Sequence, residues 1–143
     1  MKIPTRLLLA TAVLLATCGG AAASGAGFRI SAVGADLGKP DDEGAEIPKY
    51  QIKVALGQTV TLVANGIVIP RGQGPSPGDI DAGAWLFDDE AFKLVAPENA
   101  KPDRTKSVVA LSALKPGRSR VRFVGDILGR YHKFDVIVEV TEK

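Results

Sequence analysis

The chain is poor in the residues that most enzyme chemistry needs. It carries one cysteine, Cys18, and one histidine, His132. A lone cysteine excludes a disulfide within the chain, and a lone histidine excludes a metal site with two imidazole ligands. No Gly-rich phosphate loop opens a helix. Past the first two dozen residues the apolar pattern has period two, and no helical stripe stands out from it. The longest apolar run, Leu7 to Ala16, is interrupted by Thr11 and is about half of the ~20 residues that span a bilayer. A permanent transmembrane helix is therefore not expected.

The first residues do have the layout of a secretory signal. Lys2 and Arg6 form a basic start, Leu7 to Ala16 an apolar stretch, and Ala21-Ala22-Ala23 a small-residue cleavage zone. Residues 1–23 are expected to be a signal peptide, and residues 24–143 a single exported domain, periplasmic or secreted. Leu15-Ala16-Thr17-Cys18 resembles the lipobox of bacterial lipoproteins, with Thr17 departing from the usual Gly, Ala or Ser. Cys18 is thus a lipidation candidate, and a lipid there is the only membrane attachment expected. Loss of Lys2 and Arg6 brings the 18 basic residues level with the 16 acidic ones. A neutral mature chain argues against nucleic-acid binding, which needs net positive charge to displace counterions from phosphate. With no covalent staple, stability must come from one packed core, for which about 120 residues suffice.

Past the signal, the apolar pattern has period two. Phe28 to Ala32, Tyr50 to Leu56 and Val60 to Ala64 alternate, with Gly57-Gln58 as a turn. Ala84 to Phe87, Phe92 to Val95, Ser107 to Leu114, Arg118 to Val124 and Tyr131 to Val140 follow. These runs are rich in β-branched and aromatic residues and are bounded by Gly, Pro and Asp clusters. The expected fold is all-β, an immunoglobulin-like Greek-key β-sandwich of seven to eight strands and a monomer.

The last two runs predict their own pairing. Setting Val124 opposite Lys133 places Phe123 opposite Phe134 and Val121 opposite Val136 on the inner face. It also places Arg122 opposite Asp135 and Arg118 opposite Glu139 on the outer face. A slip of one residue would destroy both sets at once. The comb of Arg118, Arg120 and Arg122 therefore reads as a solvated, paired face, with a polyanion-binding stripe as the other reading.

Three connections are candidates for function. Asn65 to Gly83 is long for a strand connection and holds Pro70, Pro75 and Pro77. Pro97 to Lys106 is charged, and Gly125 to His132 joins the last hairpin. In an immunoglobulin-type sandwich these three connections emerge at one end. Binding candidates are Asn65, Arg71, Arg104, Leu128, Arg130, Tyr131 and Trp85, the last also readable as a core aromatic. Asp79 and Asp81 could hold calcium or simply shape a turn. His132 reads as a surface residue. Asp126 and His132 share one loop and would be the acid and base of a hydrolase. No cofactor and no metal is expected.

Val54-Ala55-Leu56-Gly57-Gln58-Thr59-Val60-Thr61-Leu62, Trp85 before Asp88-Asp89, Leu114-Lys115-Pro116-Gly117 and the terminal Phe134 to Val140 strand resemble bacterial immunoglobulin-like domains of the group 2 type. That resemblance covers most of the chain and implies a non-enzymatic binding or structural module of the cell envelope, whose partner is a protein or glycan. The same skeleton is similar to the chagasin-like inhibitors of papain-type cysteine peptidases. There Asn65-Gly66 and Gly83-Ala84-Trp85 would edge the first inhibitory loop, and Leu128-Gly129-Arg130-Tyr131 would stand in for an Arg-Pro-Trp element. The Pro-Thr-Thr and Gly-x-Gly-Gly elements of that family are missing.

Overall fold

The computed structural model describes residues 25–41, 45–96 and 101–142. The signal segment, Cys18 and Ser24 lie outside the described residues, as does the part of the Pro97 connection up to residue 100. Among the described residues nine strands run in the order β1 (Gly25–Val33), β2 (Lys49–Ala55), β3 (Thr59–Ile69), β4 (Ser76–Pro77), β5 (Ala82–Leu86), β6 (Phe92–Val95), β7 (Lys106–Ala113), β8 (Gly117–Ile127) and β9 (Arg130–Thr141). Eight are the runs with period-two patterning. The ninth, β4, is two residues long and lies inside the stretch expected to be loop.

The strands form two sheets. One has the order β1-β3-β7-β6, with β4 paired to β3; the other has the order β2-β9-β8-β5. All pairs are antiparallel except β2 with β9. In the letters of the immunoglobulin fold, the first sheet is A-B-E-D and the second contains C, F and G, with β2 added alongside G. The topology is therefore that of an immunoglobulin-like sandwich.

Alternation explains which side chains meet. Val60, Leu62 and Ala64 of β3 face Val121, Phe123, Val136 and Val138 of β8 and β9, and all are buried. Phe123 is fully enclosed, with Trp85 at 5.0 Å and Phe28 at 4.9 Å between ring centroids. Trp85 donates its indole N–H to the Ser107 carbonyl at 3.3 Å, tying the two sheets. Apolar packing takes the place of a disulfide here, each fully buried large side chain contributing about 1.5–3 kcal/mol.

The C-terminal register is as expected: Phe123 faces Phe134, Val121 faces Val136, and Arg122 faces Asp135. The outer face is not simply a solvated ladder. Arg122 grips Asp135 with two hydrogen bonds, Nε to Oδ1 at 2.6 Å and Nη2 to Oδ2 at 3.0 Å, and Asp135 is only 2% exposed. The Asp135 carboxylate holds the Arg122 guanidinium above its ordinary pKa. Arg118 lies opposite Glu139, yet among the described residues no ion pair joins them.

β3 also outruns its expected end. Gly66, Ile67, Val68 and Ile69 continue the ladder with β1, and Ile67 and Val68 pair with β4. The long connection is thereby shortened at its first half, and Asn65 and Gly66 become strand residues.

Candidate functional site

Three connections meet at one end of the sandwich, and main-chain hydrogen bonds weld them. Ile80 donates its N–H to the Arg104 carbonyl at 2.8 Å, and Asp81 donates to the Asp126 carbonyl at 2.9 Å. The Asp81 carboxylate accepts the N–H of Leu128 at 3.0 Å. The segment before β5 thus touches both the β6–β7 connection and the β8–β9 turn. Gly25, the start of β1, pairs with Ile69 at the same end.

The β8–β9 turn has two residues, Leu128 and Gly129, both with positive φ (50° and 72°). This is the type I′ geometry that matches strand twist and that Asn-Gly fills best. Leucine is uncommon there because its Cβ crowds the following carbonyl. Leu128 nevertheless sits there, 55% exposed, with its N–H fixed by Asp81.

Beside the turn, the outer face of the first sheet carries a groove of about 340 Å³. Its floor is one cross-strand row: Arg29 of β1, Asn65 of β3 and Lys106 of β7. Pro75 and Pro77 wall it, and Thr105 lines its rim. Asn65 donates its amide to the Arg29 carbonyl and to Ser31 Oγ, at 3.1 and 3.2 Å. Lys106 lies 4.0 Å from Asp103, whose carboxyl is held below its ordinary range by the hydroxyl and N–H of Thr105. The wall sits close because two glycines let the backbones approach. Gly78 donates to the Gly66 carbonyl at 3.0 Å, and a Cβ on Gly66 would collide with the Gly78 carbonyl. Two cations flanking an amide, under an apolar wall, suit an anionic or polar extended ligand.

The sequence-derived candidates divide between several places. Asn65 lines the groove. Arg104 and Leu128 are joined through the Ile80–Asp81 segment. Arg71 is exposed in the tight turn where Gln73 donates to the Pro70 carbonyl. Arg130 is exposed where β9 begins; Tyr131 follows it on the outer face of the second sheet, with Lys133 Nζ 5.5 Å from its ring centroid. That face is a sandwich thickness, ~10 Å, away from Asn65. Trp85 belongs to the core, as its packing on Phe123 requires.

Asp81 is committed to Leu128, and among the described residues no three His, Cys, Asp or Glu side chains come together. His132 is half-buried. It points inward beside Phe28 at 5.6 Å, with its Nε2 buried. Asp126 pairs with Tyr131 and His132 with Gly125, so alternation puts the Asp126 and His132 side chains on opposite faces of the sheet. They form no acid–base pair. The inhibitor resemblance implies a projecting loop after Asn65-Gly66 and another at Leu128. In the structure the first pair lies within β3 and the second is a two-residue turn.

Arg29 was not among the sequence candidates, and Lys106, Pro75 and Pro77 entered only as members of their connections. Only cross-strand pairing brings them together, and no local spacing signals it. The chain matches no protein-family model, and no curated protein is similar to it. Among solved structures it is similar to a chimeric titin Z1Z2 functionalized with a KLER exogenous peptide from decorin. The identity is 10% over 78% of this chain and 99% of that one, with a TM-score of 0.37.

Proposed function

We propose that this chain is an exported, non-enzymatic binding module of the bacterial envelope that engages a protein or glycan through the loop end of the sandwich. The observation that carries this reading is Leu128. A left-handed residue without Gly, Asn or Asp costs roughly 1–3 kcal/mol and persists where the surroundings impose it. Here the strained position presents a leucine side chain to solvent, next to Arg130 and Tyr131 and around the corner from the Arg29–Lys106 groove. Asparagine would fold this turn better, and an exposed leucine in its place supports a contact role.

The test is co-sedimentation of purified mature protein with isolated sacculi and with the membrane fraction. The wild type is expected to sediment, and Leu128→Asn to remain in the supernatant while melting no lower than the wild type. Protease treatment of the sacculi beforehand separates a protein partner from a glycan. If Leu128→Asn sediments as the wild type does, the turn is not the contact.

A further inference from the structure

At the opposite end of the second sheet, β8 is left half uncovered. β5 pairs with β8 only from Arg122 to Asp126, and the chain then departs through Phe87 and Asp88 toward β6. Among the described residues, Gly117 to Val121 therefore have β9 on one side and no strand on the other. The direction of the main-chain groups follows from alternation. The Asp126 carbonyl accepts from Asp81, on the β5 side, so every second residue of β8 points there. Arg118 and Arg120 thus aim their N–H and C=O groups at the open edge.

The side chains at this edge are equally specific. A groove of about 490 Å³ lies along it, lined by Leu86, Phe87, Asp88, Arg118 and Arg120. Among the described residues, neither Arg118 nor Arg120 has an ion-pair partner, whereas Arg122 is consumed by Asp135. Asp88 is occupied in its own turn, accepting the Glu90 N–H at 2.9 Å. Two of the outer strands carry lysine instead: β6, four residues long, has Lys93, and β2 alternates Lys49, Gln51 and Lys53 along its length.

We propose that the Gly117–Val121 edge of β8 accepts an extended acidic peptide as an added strand. Unpaired main-chain groups bind a peptide backbone, which a glycan or nucleic acid cannot supply. Cross-strand neighbours on one face then place a carboxylate beside each free arginine. Because the period is two, the carboxylates must fall on alternate residues of the peptide.

The probe is a fluorescein-labelled peptide alternating Glu and Thr, read by anisotropy against the full protein. It is expected to bind, and the Arg118→Glu/Arg120→Glu variant is expected to bind it at least about tenfold more weakly. That variant should bind the alternating Lys–Thr peptide instead, an outcome an unfolded protein would not give. Blocking the Glu–Thr peptide by N-methylation on alternate residues should abolish binding in one of the two frames only. Absence of Glu–Thr binding would show that the arginines merely guard the edge and would overturn the proposal. So would binding that ignores N-methylation or is matched by heparin, since the surface would then be a general polyanion site.

Discussion

Replacing Arg122 by methionine is the sharpest probe of this fold. Asp135 lies on the outer face of a strand, where a carboxylate ordinarily meets water, yet it is 2% exposed and rests on both nitrogens of one fork. Removing the guanidinium strands a buried carboxylate. Breaking a buried ion pair from one side costs about 3–5 kcal/mol. The Arg122 side chain is 25% exposed, so water can enter where it was, and the low end, about 3 kcal/mol, applies. With a urea m-value of about 1.5 kcal/mol/M, the midpoint should fall by about 2 M at unchanged m. Trp85 is the natural reporter, being the only tryptophan and packed on Phe123 in the core. Adding Asp135→Leu to Arg122→Met should restore most of the loss, because an apolar pair of similar volume replaces a charge pair with little penalty. A loss below about 1 kcal/mol for Arg122→Met, the scale of an exposed pair, would refute the reasoning and place water at Asp135.

Three further outcomes follow from the same geometry. Gly125→Ala should destabilise by about 1–3 kcal/mol, since its Cβ would stand 2.5 Å from Phe123 and 2.8 Å from Phe28; thermal melts with Trp85 emission check it. Leu128→Gly should raise stability by about 0.4–1 kcal/mol in chemical denaturation, whereas Asp81→Ala should lower it, because the strained turn loses the acceptor for its N–H. Asp103 has a folded pKa below its ordinary value of 3.8, so its support of the β6–β7 connection is complete above that value and is lost as pH falls through the lower folded one. Amide exchange at Thr105 should accelerate in that acid window, and Asp103→Asn should remove the pH dependence.

The parts of the structure legible in the sequence are those written in period two. Phe123, Phe134, Val121 and Val136 could be paired from sequence because one register satisfied both faces, and a slip would have exposed every one of them. The far half of β3 was illegible for the opposite reason. Asn65-Gly66 reads as a break, yet Gly66 is needed where the Gly78 carbonyl presses on the strand, a contact between residues distant in sequence. His132 looked like a turn residue because it follows Tyr131. The turn closes two residues earlier, and strand parity carries the imidazole inward to Phe28. The groove row of Arg29, Asn65 and Lys106 joins three strands from separate parts of the chain. Nothing local distinguishes these residues from any other exposed polar ones.

The start of β1 and the end of β9 lie at opposite poles, one beside each proposed surface. β1 begins at Gly25 opposite Ile69, so whatever precedes it leaves from the loop end, beside Leu128 and the Arg29–Lys106 groove. The last strand ends at the other pole, where Leu56 donates to the Thr141 carbonyl, near the open edge at Arg118 and Arg120. Cys18 stands roughly seven residues before Gly25, a reach of at most about 25 Å when fully extended. A lipid on Cys18 would therefore hold the loop end against the bilayer and turn the β8 edge outward. Cleavage after Ala23 would leave the loop end untethered. Mass spectrometry of the mature N-terminus distinguishes the two. If Cys18 is lipidated, a Cys18→Ser protein, freed from the membrane, should bind loop-end partners more readily than the anchored wild type, while binding of the Glu–Thr peptide at the far edge is the same in both. Equal loop-end binding by the anchored and free forms would break this link between tether and surface.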